Sequence, residues 1–130
     1  MKLRISGSTV RFRLLPPEMA AWRTTGRCAE EVRIGPDAAD RWAYRLELTT
    51  EPDWTVATEE GGLVVEVPHA AVQSWADSED AIALEHLTPW GTVIVIEKDL
   101  PRRILRSRNA GRAEQEGPSG SDQNTSRAMP

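Results

Sequence analysis

Met1-Lys2-Leu3-Arg4-Ile5-Ser6-Gly7-Ser8-Thr9-Val10-Arg11-Phe12-Arg13-Leu14 is the stretch that decides the fold. Leu3 and Ile5, then Val10, Phe12 and Leu14, alternate with Lys2, Arg4, Arg11 and Arg13. That is the period of two that half-buried strands follow. Ser6-Gly7 between the runs suits a two-residue hairpin turn, which would pair Leu3 with Val10 and Lys2 with Arg11. The apolar side chains then share one face and the cations the other.

Working outward, Pro16-Pro17 stops the second strand and starts a helix, since proline fits the first helical turn. Glu18 suits that turn through the helix dipole. Met19 and Trp22 form a short apolar stripe, and Gly26 ends the helix. Cys28 to Gly35 reads as a strand, Pro36-Asp37 as a turn, and Trp42 to Leu48 as a strand with Trp42, Tyr44, Leu46 and Leu48 on one face. After Glu51-Pro52-Asp53, strands are expected at Trp54 to Thr58 and Leu63 to Val67, joined by Glu59-Glu60-Gly61-Gly62. His69 to Ala76 reads as a second helix carrying Val72 and Trp75. Strands at Ile82 to Leu87 and Thr92 to Ile96 flank Pro89-Trp90-Gly91. Val93-Ile94-Val95-Ile96 is apolar on both faces, which predicts a central strand.

The two halves match at a shift of 53 residues. Val10, Phe12 and Leu14 fall on Leu63, Val65 and Val67; Met19 and Trp22 fall on Val72 and Trp75; Pro36 falls on Pro89. A gap of three then brings Leu46-Glu47 onto Ile96-Glu97. This predicts an internal duplication of a hairpin–helix–hairpin unit, with pseudo-repeats at 1–50 and 54–100. The expected fold is α+β, with about eight antiparallel strands in one curved sheet or partly closed barrel and two short helices packed on it.

The chain has 130 residues, a one-domain length, and 1–100 is the expected domain. Residues 101–130, with Gly117-Pro118-Ser119-Gly120-Ser121, lack the apolar content to offset ordering and read as a disordered tail. Its arginines (Arg102, Arg103, Arg106, Arg108 and Arg112) could touch nucleic acid, but the acidic domain before them speaks against that. The single cysteine, Cys28, excludes an internal disulfide and a Cys-x-x-Cys metal site. The N-terminus lacks an apolar signal stretch and no run reaches membrane-spanning length. These features place the protein in a reducing, bacterial-type cytoplasm.

Charge is uneven. Residues 1–50 hold nine Lys/Arg and six Asp/Glu; residues 51–100 hold one and eleven. A basic half and an acidic half attract, within one molecule or between two.

Lys2, Arg4, Arg11 and Arg13 on one face, joined by Arg45, form a candidate anion site for phosphate or nucleotide. The competing reading gives them internal partners from the acidic half, including Glu66 at the position matching Arg13. Glu47 and Glu97 could hold a divalent metal, though Glu97-Lys98-Asp99 reads first as a solvated strand end. Asp77-Ser78-Glu79-Asp80 reads as a polar loop without the calcium-loop pattern. His69 and His86 match no zinc spacing and read as surface residues. Cys28 reads as a small buried hydrophobe. No phosphate loop or nucleophile elbow is present in the sequence, and no cofactor is implied. Of the five tryptophans, Trp22, Trp42 and Trp75 fall on core faces. Trp54 and Trp90, beside turns, are the candidates for recognising something.

The opening Met1-to-Leu14 stretch, Val67-Pro68 followed by a helix ending in Trp75, and Ile96-Glu97-Lys98-Asp99-Leu100 resemble a small uncharacterised bacterial domain-of-unknown-function family. Its members open Met-Lys-Ile-Arg-Ile…Arg-x-Arg-Leu. The resemblance covers residues 1–100 and implies a standalone small protein without supplying an activity. Relatives carry a cysteine after Glu-Lys-Asp and an acidic tail ending in Asn-Pro; here Pro101-Arg102-Arg103 follows and the sequence ends in Met129-Pro130.

The function reading is a non-enzymatic interaction module that binds a protein partner or itself. The alternative is a phosphate-binding or metal-dependent phosphohydrolase-type domain. That alternative draws on triphosphate-tunnel enzymes, whose alternating N-terminal glutamates are replaced here by Lys2 and Arg4.

Overall fold

A computed structural model describes residues 1–59 and 61–100. The predicted tail, 101–130, lies outside the described residues. Eight strands and two helices follow in chain order: β1 (Lys2–Ser6), β2 (Thr9–Leu14), α1 (Pro16–Thr25), β3 (Arg27–Arg33), β4 (Arg41–Thr49), β5 (Thr55–Glu59), β6 (Gly62–Pro68), α2 (His69–Asp77), β7 (Ala83–Leu87) and β8 (Val93–Lys98).

The strands form two four-stranded sheets, not one. Sheet A has the order β1-β2-β8-β7 and sheet B the order β3-β4-β6-β5. Two pairings are parallel, β2 with β8 and β4 with β6, which corrects the expected all-antiparallel arrangement. Among the described residues neither sheet closes into a barrel, because β1, β7, β3 and β5 each pair on one side only. The physical reason for the miss is that a period-two pattern reports which face a residue takes, not which distant strand lies alongside. Each sheet takes one hairpin from each half of the sequence. Replacing β1–β4 by β5–β8, and the reverse, turns one strand order into the other. The registers follow: Phe12 lies opposite Ile96 in sheet A, and Val65 opposite Leu46 in sheet B.

The first hairpin is shifted from the sequence reading. Leu3 pairs with Phe12 and Lys2 with Arg13, so Gly7-Ser8 forms the turn between Ser6 and Thr9. Gly7 takes the first central position with φ 58°, a conformation glycine adopts at no steric cost. The shift is by two residues in pairing, so every side chain keeps its expected face. Gly62 has a different role. A Cβ there would lie 2.0 Å from the Ala43 carbonyl oxygen, so the parallel β4–β6 pair needs a glycine at its start.

Helix α1 starts where the prolines predict. The Leu15 N–H donates to Glu18 Oε1 at 2.8 Å, and Gly26, at φ 83°, donates its N–H to the Trp22 carbonyl at 2.7 Å. One core gathers Phe12, Leu14, Ile94 and Ile96 from sheet A, Leu46, Val65 and Val67 from sheet B, and Trp22, Val72 and Trp75 from the helices. Each such apolar side chain contributes about 1.5–3 kcal/mol on burial. The Trp22 and Trp75 rings meet edge to face, 6.5 Å between centroids. As expected, β8 is central, lying between β2 and β7.

Candidate functional site

The outward face of sheet A is laid out by register in three rows. Lys2, Arg13, Glu97 and Ala83 form the first; Arg4, Arg11, Val95 and Glu85 the second; Ser6, Thr9, Val93 and Leu87 the third. Placing β8 beside β2 puts Glu97 next to the cations. Arg11 Nη1 donates to Glu97 Oε2 at 2.6 Å, and Arg13 reaches Glu97 Oε1 at 3.3 Å through both Nε and Nη2. Lys2 Nζ lies 3.5 Å from Asp99 Oδ2. Among the described residues, Arg4 makes no ion pair. Internal partners therefore face three of these four cations. Glu66 is not one of them; it accepts from Thr55 Oγ1 at 2.6 Å and lies beside Glu47 in register.

Arg45 belongs to a separate surface, the outward face of sheet B. Its Nε donates to Glu47 Oε2 at 2.7 Å and its Nη2 to Glu59 Oε1 at 2.8 Å. These two carboxylates raise its pKa. Arg27 Nε also lies 3.8 Å from Glu47. Glu47 and Glu97 thus face outward from different sheets, each engaged by arginine, and do not form a shared site. Among the described residues, no three His, Cys, Asp or Glu side chains gather as a metal would require.

The strand end expected to be solvated is not. Lys98 is 7% exposed, faces inward, donates its Nζ to the Ser78 carbonyl at the end of α2, and lies 5.6 Å from the centre of the Trp75 ring. A lysine after a glutamate gives no sequence sign of burial. The one available sign is the strand alternation, which puts Lys98 on the face of Ile94 and Ile96.

Trp54 and Trp90 separate. Trp54 packs against the core and stacks on His86, 4.7 Å between centroids and 5° between planes. At the corresponding corner of the other half, the Met1 α-ammonium donates to Glu18 Oε2 and to Glu30 Oε2, and the Tyr44 hydroxyl donates to the Met1 carbonyl at 3.2 Å. Burial lowers the pKa of that amine, but hydrogen bonds to Glu18 and Glu30 outweigh it and the pKa is raised. Burial raises the pKa of Glu18, but the donated bonds from the amine and from Leu15 hold it below the ordinary value. Cys28, half-buried, has its thiol pKa raised by burial and then by Glu18, which suits an unreactive packing role.

Trp90 is 66% exposed at the apex of the β7–β8 turn. That turn is held by four hydrogen bonds: Thr88 N–H to Thr92 O at 2.8 Å, Gly91 N–H to Thr88 O at 3.0 Å, Thr92 N–H to Thr88 Oγ1 at 2.9 Å, and Val93 N–H to Ser8 O at 2.8 Å. The last bond joins the turn to the tip of the β1–β2 hairpin. Two uncharged segments, Ile5 to Val10 and Leu87 to Ile96, therefore meet at one end of sheet A. Ile5 (58%) and Leu87 (66%) are exposed there with Trp90. The corresponding end of sheet B carries Glu31, Arg33, Arg41 and Glu59, with Arg41 Nη1 donating to Glu31 Oε1 at 2.9 Å, although Val32 and Ile34 are also exposed there. Sequence reading found Trp90 from its turn. It did not place the tip of the first hairpin beside that turn, because only the parallel β2–β8 pairing brings the two segments together.

The chain belongs to a family of unknown function, DUF7009, whose model matches residues 1–109. No curated protein and no solved structure matches the chain.

Proposed function

We propose that the protein is a non-enzymatic interaction module whose contact surface is the uncharged end of sheet A around Trp90. The observation that carries this reading is an exposed tryptophan on a hydrogen-bonded turn within a charge-free patch, in a chain whose residues are 28% charged. Interface centres are depleted in charge and enriched in aromatic residues. A rigid aromatic anchor also loses little conformational entropy on contact. The interchangeable strand orders and matching registers support descent from a duplicated hairpin–helix–hairpin unit. That origin would leave two equivalent ends free to diverge, one charged and one bare. The lone half-buried cysteine suits the reducing cytoplasm in which we place the protein.

The competing phosphate reading has lost ground because Glu97 is already shared by Arg11 and Arg13 and Asp99 lies against Lys2. The test is a thermal-shift panel on the intact chain with inorganic phosphate, tripolyphosphate and ATP, each with and without Mg²⁺. A ligand at a hundred times its dissociation constant adds about 2.7 kcal/mol of stability, which such a panel detects readily. A flat panel is expected. A shift that disappears in an Arg11→Ala, Arg13→Ala variant would replace the module by an anion site.

A further inference from the structure

We infer that the free edge of β1 binds an acidic, extended segment of another protein, which joins sheet A as an added strand. This surface is the side of the sheet, separate from its uncharged end, so the inference goes beyond the reading above. β1 is an edge strand, with β2 on one side and no strand on the other. Its register with β2 runs unbroken from Lys2 to Ser6, and it holds no proline that would turn a second neighbour away. Lys2, Arg4, Ile5 and Ser6 are exposed, Ile5 by 58% on the inward face. On the outward face Lys2 lies opposite Arg13 and Arg4 opposite Arg11. Like charges directly opposite are destabilising. Glu97 is shared by Arg11 and Arg13 and Asp99 lies against Lys2, which leaves Arg4, among the described residues, without a carboxylate.

The second half of the chain shows that the fold does not require this. β5 is the matching edge of sheet B, and its register with β6 repeats that of β1 with β2 at the shift of 53 residues. There Thr55 lies opposite Glu66 and donates to it at 2.6 Å, Ala57 lies opposite Val64, and Thr58 stands where β1 carries Ile5. Glu59 of that strand accepts from Arg45 at 2.8 Å. The charges beside β5 are matched within the chain, whereas β1 carries an unmatched cation on one face and an exposed apolar side chain on the other. A strand added about 4.8 Å from β1 would set its own side chains beside these two, a carboxylate next to Arg4 and an apolar residue next to Ile5. Its main chain would bond to the outer N–H and C=O row of β1. Such bonds supply affinity, and the alternate side chains supply specificity. A second β1 does not fit, since antiparallel pairing about Arg4 sets that arginine against itself. The cations that keep like edges apart therefore select a strand in which Asp or Glu alternates with apolar residues.

The experiment pans a displayed library of random peptides on the full chain and on an Arg4→Glu variant, whose unchanged melting temperature would show that it folds. The wild type should enrich proline-free peptides in which Asp or Glu alternates with apolar residues. The most enriched of them, made synthetically, is the probe for fluorescence anisotropy and amide hydrogen exchange. It should bind less well at high salt, and its affinity for Arg4→Glu should fall by about tenfold or more, since like charges then meet. Methylating one alternate set of its backbone nitrogens should abolish binding and methylating the other should not, because only one set faces the edge. The amides of β1 should gain protection. Trp90→Ser should bind as the wild type does, which separates this edge from the end of the sheet. No enriched peptide, enrichment without acidic residues, equal binding by Arg4→Glu, or unprotected β1 amides would overturn the inference. A wild type that oligomerises in sedimentation velocity, and loses this in Arg4→Glu, would give the edge to a second copy and overturn the foreign segment. Failure here leaves the Trp90 surface and its own test untouched.

Discussion

At the β7–β8 end of sheet A the chain shows Trp90, Leu87 and Ile5 with no charge among the residues that carry them; at the β3–β4 end of sheet B it shows Arg33, Arg41, Glu31 and Glu59. The two ends are made from the same elements in the same order, with hairpins at matching positions and a proline at position 36 in one turn and 89 in the other. Turn ends lie outside the shared core, so their composition is free to differ without disturbing the packing. The core positions differ far less. Phe12 and Val65, Leu14 and Val67, Leu46 and Ile96 are all buried. The exceptions inside the protein, where matching positions have different chemistry, are where the comparison between halves can be tested.

The largest expected effect is at Lys98. Its counterpart in sheet B is Leu48, which packs against the core as an ordinary hydrophobe. Lys98 instead brings an ammonium group to the Ser78 carbonyl, where the end of α2 presents an unpaired acceptor, and to the face of Trp75. Lys98→Ala should cost about 2–4 kcal/mol, from a charged hydrogen bond and a buried stem lost together. Leu48→Ala should cost about 2 kcal/mol or more from apolar packing alone. Urea denaturation at neutral pH measures both. A Lys98→Ala variant as stable as the wild type would mean that the lysine is a tolerated accident.

A second test isolates one hydrogen bond. The Trp75 indole N–H donates to the Ile82 carbonyl at 3.1 Å, whereas the Trp22 indole nitrogen is buried without a partner among the described residues. Replacing either by phenylalanine removes a similar volume from the same edge-to-face pair. The difference between the two variants therefore reports the bond. Trp75→Phe should be the more destabilising by about 1–3 kcal/mol, because it removes a bond that is made, the Ile82 carbonyl keeping only the Lys98 N–H at 3.0 Å, while Trp22→Phe relieves an unsatisfied donor. Equal costs would show that the indole bond adds nothing to what the Lys98 N–H already gives the Ile82 carbonyl.

Much of this was legible in the residues. The alternation of Leu3 to Leu14 fixed the basic and apolar faces, Pro16-Pro17 and Gly26 bounded α1, and Val93 to Ile96 announced a central strand. The shift of 53 residues aligned side chains that occupy corresponding places in two sheets. What escaped was long-range. Pairing β2 with β8 carries no local mark, and that pairing both sets Glu97 against Arg11 and Arg13 and ties the tip of the first hairpin, at Ser8, to the Trp90 turn. The predicted anion site drew Arg45 into one group with cations of another sheet, because a shared residue type was visible and the sheet boundary was not. Trp54 looked like a binding residue because it lies beside a turn, and only the arrival of β7 supplies His86 to stack on it.

The smallest expected effect concerns the corner occupied by Met1, Glu18 and Glu30, whose counterpart holds Trp54 and His86. One corner is ionic and the other is a ring stack, so pH should separate them. Glu18 has a lowered pKa in the folded protein, so its contribution to stability is present above its unfolded pKa and is lost as pH falls through the folded one. The amine has a raised pKa, so its contribution is complete below the ordinary α-amine value of 8.0 and is lost as pH rises through the folded pKa. Stability attributable to this corner should therefore be flat from mildly acidic to neutral pH and decline on both sides. A Glu18→Gln variant, which keeps shape and removes charge, should lose most of the acid-side decline and part of the alkaline one. The stacked corner should contribute little to either side. Urea midpoints measured across pH for the wild type and this variant would decide the point, and parallel profiles would show that the ionic corner adds nothing that the ring stack does not.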